Sequence, residues 1–196
     1  TQLMRIYLII CVPATIGMAL LSPSIIRLLA DDAYYEGHRV MVLIAASVFL
    51  YGFQRWFQLV LALYEKTVLI FISVMSGAVV NILLNLILVP SLGYQIAAVD
   101  NLLGYFVFTL MVIWLSRKSM AWQFPHKSLV RVLLASLPMA GGIVAFQWLS
   151  KPDWVTLMVC VSGGASLYAL ALLILKEITF SDLNTLGRSL AHKVGL

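Results

Sequence analysis

The chain has 196 residues, of which 62% are hydrophobic and 11% charged, with a formal net charge of +5. Soluble domains carry roughly 45–50% apolar residues, so a water-exposed globular fold is excluded for want of polar surface. The charges are clustered, leaving six apolar runs close to the ~20 residues that cross a bilayer.

These runs fall at roughly 6–28, 40–64, 67–89, 94–116, 129–149 and 154–175. They predict an all-α, polytopic membrane bundle of six transmembrane helices. The basic excess then reports topology and gives no sign of nucleic-acid binding. Six spans put both termini, the second loop and the fourth loop on one side. That side holds Arg5, Lys66, Arg117, Lys118, Lys127, Arg131, Lys176, Arg188 and Lys193, against Arg27, Arg39 and Lys151 opposite. The positive-inside rule assigns the nine to the cytoplasm. The expected location is the cytoplasmic (inner) membrane, with both ends of the segment inside.

In chain order, the first span carries Pro13 and Pro23. Each removes a helix hydrogen bond, which a membrane tolerates only if a neighbouring group re-satisfies the freed carbonyl. Short turns at "YEKT" and "VPSLGY" predict antiparallel neighbours, so spans two to four form one packed unit hinged at Pro90–Gly93. The first four spans occupy 1–116. A basic, aromatic cytoplasmic loop, 117–128, leads to two plainer spans within 129–176. Their glycine pairs, in "PMAGG" and "SGGAS", suit close helix packing. The tail, 177–196, spaces Ile178, Leu183, Leu186, Leu190 and Val194 near helical periodicity, with Arg188, His192 and Lys193 on the other side. It reads as an amphipathic helix on the cytoplasmic leaflet. Cys11 and Cys160 fall at different depths and are not expected to bridge.

Polar residues inside spans are costly and face a bundle interior or a hydrated cavity. Span two carries Ser47, Tyr51, Gln54, Arg55 and Gln58; span three Ser73, Gly77, Asn81 and Asn85; span four Asp100, Asn101, Gly104 and Tyr105. Three successive stripes predict one hydrated surface, with Arg55, Gln58, Asn81, Asp100 and Asn101 as candidate substrate-binding residues. At 1.5 Å per residue, Arg55 lies ~10 Å nearer the cytoplasm than Asp100, so a direct Arg55–Asp100 pair is not expected. Asn81 and Asn85 suit interhelical hydrogen bonding before ligand contact. Arg55 suits either a cavity cation or a snorkelling structural residue.

"NILLNLILVPSLGYQIAAV", residues 81–99, resembles the signature of polysaccharide flippases in the multidrug/oligosaccharidyl-lipid/polysaccharide exporter superfamily. The shared pattern is Asn-x3-Asn, an apolar run, Pro-x2-Gly and Ala-Ala, here Asn81, Asn85, Pro90, Gly93, Ala97 and Ala98, with a structural role implied. "SPSIIRLLADDAYYEG" and "LALYEKT" resemble neighbouring segments of that family, so the similarity covers about 5–116. Gln95-Ile96 and Asp100-Asn101 depart from the pattern, and Arg55 and Asp100 are not carried over from it.

The resemblance implies the C-terminal lobe of a two-lobed flippase plus two extra helices, with an N-terminal lobe of eight spans lying outside this sequence. It implies transport of undecaprenyl-pyrophosphate-linked oligosaccharide for polysaccharide biosynthesis in the cell envelope. The implied partners are membrane lipid, lipid-linked oligosaccharide, the missing lobe and other polysaccharide assembly proteins. The alternatives are a cation-coupled multidrug antiporter of the same superfamily, with Asp100 as its cation site, and a non-transporting membrane scaffold. No nucleotide loop, nucleophile–base pair or zinc-like spacing occurs. The expectation is a non-enzyme without cofactor or metal.

Overall fold

A computed structural model describes residues 2–93, 95–117, 124–150, 153–175 and 177, with the backbone alone at Asp32. The described residues form six long helices: α1 Gln2–Leu29, α2 Gly37–Leu63, α3 Thr67–Leu92, α4 Ile96–Arg117, α5 His126–Leu149 and α6 Trp154–Ile174. All six are long and apolar enough to span a membrane. Their outer faces are themselves apolar, with Trp148, Leu149 and Ile174 among the most exposed side chains. Such a surface is stable against hydrocarbon, and the chain is a multi-pass membrane protein.

The helices outrun the apolar stretches at several ends. α1 is helical from Gln2, the first described residue, ahead of its apolar run. α5 begins at His126, directly after Pro125, so it takes the last three residues of the basic loop. A proline at the entry is compatible with a helix start, because its φ is already near the helical value. α3 passes through Pro90 and stops at Gly93, whose φ of 83° is left-handed and whose N–H bonds the Val89 carbonyl at 3.0 Å. Among the described residues of this turn, the left-handed backbone falls on Gly93, the residue type that adopts it without a Cβ penalty. At the start of α6, Asp153 caps the helix by accepting from the Trp154 N–H at 2.8 Å. The predicted tail from 178 onward and the loop segment 118–123 lie outside the described residues.

The prolines of α1 are compensated in two ways. Pro13 cannot donate to the Ile9 carbonyl, and the Tyr168 hydroxyl on α6 bonds that oxygen at 2.7 Å. Pro23 cannot donate to Ala19, and the Ser22 hydroxyl bonds that carbonyl at 2.9 Å. One repair recruits a neighbouring helix; the other is local.

Contacts give the order α3–α4–α2–α1–α5–α6, with α6 returning against α1. The unit of α1, α5 and α6 is centred on Leu8, Val132, Ala135, Met139 and Ile143. The unit of α2, α3 and α4 is centred on Phe57, Leu61, Phe108 and Val112. Gln54 of α2 meets Thr109 of α4, so these helices run parallel, and Gly77 of α3 meets Gly104 of α4 in antiparallel sense. The short turn between α2 and α3 does not make them principal neighbours, because α4 inserts between them. α1, α3 and α5 begin at the same end of the bundle, hereafter the basic end.

Candidate substrate cavity

A cavity of about 390 Å³ opens among α2, α3 and α4. α2 contributes Tyr51, Arg55 and Gln58 at the i, i+4 and i+7 spacing of one helical face. α3 contributes Val74, Gly77, Ala78 and Asn81, and α4 contributes Asn101, Gly104, Tyr105 and Phe108. Four of the five predicted candidates, Arg55, Gln58, Asn81 and Asn101, therefore share one lining.

The floor depends on two glycines. A Cβ on Gly77 would meet the Gly104 carbonyl at 2.6 Å, and one on Gly104 would meet the Asn81 Cβ at 2.9 Å. Only glycine lets these backbones approach so closely, and Asn81 and Asn101 line the same cavity around the crossing. The hydrogen bond that Asn85 makes among the described residues is within its own helix, α3: its amide donates to the Asn81 carbonyl at 2.9 Å. The close approach of α3 and α4 is made where Gly77 and Gly104 cross, with Asn81 packed against Gly104.

Arg55 is exposed and held in place by its own helix. Its Nη2 donates to the Tyr51 hydroxyl at 2.8 Å and its Nη1 to Gln58 Oε1 at 3.4 Å. The guanidinium carbon stands 5.2 Å from the Tyr51 ring centroid, and that ring lies 5.5 Å from Tyr105. Tyr51, one turn before Arg55, and Tyr105, one turn after Asn101, belong to the polar stripes and join the predicted candidates in the lining. The result is a cation tied to Tyr51 and Gln58, in a cavity that Tyr105 and the amides of Asn81 and Asn101 also line. Chemically it can accept an anionic oxygen on Arg55, with hydroxyl or ether groups on the amides.

Asp100 is not among the lining residues. It lies one turn before Gly104 on α4, is 0% exposed, and neither carboxyl oxygen has a hydrogen-bond partner among the described residues. No Arg55–Asp100 pair forms, in keeping with their difference in depth. The span-two stripe also divides. Tyr51, Arg55 and Gln58 face the cavity, while Gln54 is buried with its Oε1 3.4 Å from the Thr109 hydroxyl.

No family model matches this sequence, and no solved structure matches it. An uncharacterized membrane protein of Methanocaldococcus jannaschii is 26% identical over 176 residues, 89% of this chain. The chain spans 34% of the length of that relative. The site just described thus lies in a chain similar to part of a longer membrane protein.

Proposed function

We propose that this chain is the C-terminal part of a transporter that moves an anionic lipid-linked oligosaccharide across the cytoplasmic membrane. The reading draws on the likeness of residues 81–99 to polysaccharide flippases. The observation that carries it is the junction at Tyr51. This residue lines both the polar cavity and a largely apolar groove of about 600 Å³ between α1 and α2. Such a junction suits an amphiphile, with its phosphate on Arg55, its sugars on Asn81, Asn101 and Gln58, and its lipid chain along the groove. A polar head cannot cross hydrocarbon unaided, and a cleft between two rocking lobes shields it. An interior-negative potential of ~100 mV favours outward movement by about 2.3 kcal/mol per negative charge.

The test is export of lipid-linked oligosaccharide by the intact transporter in sealed vesicles. Arg55→Ala removes charge-assisted hydrogen bonds worth about 1.5–3 kcal/mol, so the rate should fall roughly 10- to 100-fold. Arg55→Lys should retain an intermediate rate. Unchanged export in both variants would remove Arg55 from the route. Loss of cation-driven drug efflux on Asp100→Asn, with no glycolipid export in the parent protein, would favour the antiporter.

A further inference from the structure

At the basic end, outside the cavity, three helices converge on one carboxylate. Glu177 follows α6 and is 1% exposed. Its Oε1 lies 2.6 Å from Arg5 Nε, at the start of α1. Its Oε2 lies 3.0 Å from Arg131 Nη1, in the second turn of α5. Arg5 Nη2 also donates to the Glu177 main-chain carbonyl. Burial alone would push the Glu177 carboxyl up, but hydrogen bonds from Ser128, Arg131 and Arg5 more than offset it and hold its pKa below the ordinary carboxylate value. The carboxylate is therefore charged and spent.

The arginines are not spent. Among the described residues of the cluster, two guanidinium charges face one carboxylate, leaving a net +1, and the two side chains remain 39% and 44% exposed. Arg5 engages Glu177 through Nε and Nη2, and Arg131 through Nη1, which leaves further N–H donors on both. Arg5 is at the fourth residue of α1 and Arg131 at the sixth of α5, so both lie near headgroup depth. Side chains lean toward a helix N-terminus, here toward the interface.

Below this pair runs an apolar groove of about 620 Å³ between α1, α5 and α6. It begins at Ile9 and Leu172 and continues past Gly17 and Met139 to Ile25. Ile9 is one turn from Arg5, and Leu172 accepts the Glu177 N–H at 3.1 Å, so the groove opens directly under the cationic pair. From Ile9 to Ile25 is ~24 Å along the helix, longer than the ~15 Å of one leaflet's hydrocarbon. Polarity is thus ordered along the membrane normal as in a phospholipid, cation first and hydrocarbon after.

We propose that Arg5 and Arg131, fixed by the buried Glu177, bind the phosphate of an anionic phospholipid whose acyl chain lies in the α1/α5/α6 groove. Glu177 positions the arginines and keeps the pair to one net charge, which selects an anionic headgroup over a zwitterionic one. The inference is independent of the role of Arg55.

The test uses the full chain, delipidated in neutral detergent, with bound lipid counted by native mass spectrometry and the thermal unfolding midpoint followed. Phosphatidylglycerol should bind and raise the midpoint, and phosphatidylcholine with the same chains should not. Arg131→Gln and Arg5→Gln should each weaken phosphatidylglycerol about tenfold or more. Ala169→Phe, which fills the groove, should weaken it while leaving both arginines intact. Each variant's midpoint in detergent alone is its own baseline, so damage to the fold is read separately. Equal response to both lipids would overturn the proposal, as would arginine variants that bind normally. Protection by inorganic phosphate that matches phosphatidylglycerol and ignores Ala169→Phe would also overturn it, by assigning the site to a free anion.

Discussion

At the scale of single residues, this bundle is shaped by what happens to backbone groups that a membrane cannot solvate. Pro13 orphans the Ile9 carbonyl, and a carbonyl without water must find a protein donor. Tyr168 provides one from 159 positions away. Removing that hydroxyl in Tyr168→Phe should cost about 1 kcal/mol of stability. Pro13→Ala returns the helix's own N–H to Ile9, so the same Tyr168→Phe change should then cost almost nothing. The cycle is read by unfolding of all four proteins in one detergent, and an equal loss in both backgrounds would show that the hydroxyl does not repair the proline. The need for a donor was legible in the sequence, because proline announces the missing bond. The identity of the donor was not, since only tertiary packing brings α6 against α1.

At the scale of elements, helix number and approximate ends follow from hydropathy, whereas packing partners do not. The three polar stripes were legible as periodic sequence, and four of the five chosen residues do converge on one cavity. Asp100 does not, although its neighbour Asn101 does: one residue turns the side chain about 100° around α4 and into the packed interior, a difference that a coarse polar stripe does not register. The crossing of α3 and α4 is made by Gly77 and Gly104, with Asn81 against it, and the importance of the glycines lies in what they lack. Gly77→Ala should therefore destabilise by about 1–3 kcal/mol and spread the cavity, since the new methyl meets backbone at 2.6 Å. Gly141→Ala is the comparison. Nothing lies within 4 Å of a Cβ there, so replacement should be neutral or stabilise by up to ~1 kcal/mol through helix propensity. Unfolding of both variants decides it, and a similar loss in the two would mean that the glycines act through flexibility instead of close approach. The glycine pairs of α5 and α6 obey the same distinction. Gly142 and Gly164 touch side chains of the facing helix, while Gly141 and Gly163 face open space.

For the whole molecule, the order of the helices was the least legible feature, because short turns fix only the sense of successive segments. α4 separates α2 from α3 despite their tight turn, and Glu177, read as the first residue of the tail, is the centre of an ion cluster joining α1, α5 and α6. The distribution of charge between the two ends, in contrast, needs no tertiary information. Among the described residues, Arg5, Lys66, Arg117, Lys127 and Arg131 lie at the end where α1, α3 and α5 begin, against Arg27 and Arg39 opposite, and the sequence count of nine against three predicts that this end is cytoplasmic. The orientation can be tested in the intact protein in whole cells with a membrane-impermeant maleimide. His126 and Ala33 are exposed and lie at opposite ends of the bundle, so each is a suitable position for a single added cysteine. In a background where Cys11 and Cys160 are replaced by alanine, Ala33→Cys should label from outside. His126→Cys should label only after the cells are permeabilised. The reverse pattern would place the arginine pair and the basic loop outside the cell, and a charge imbalance of nine to three would then have failed to orient the chain.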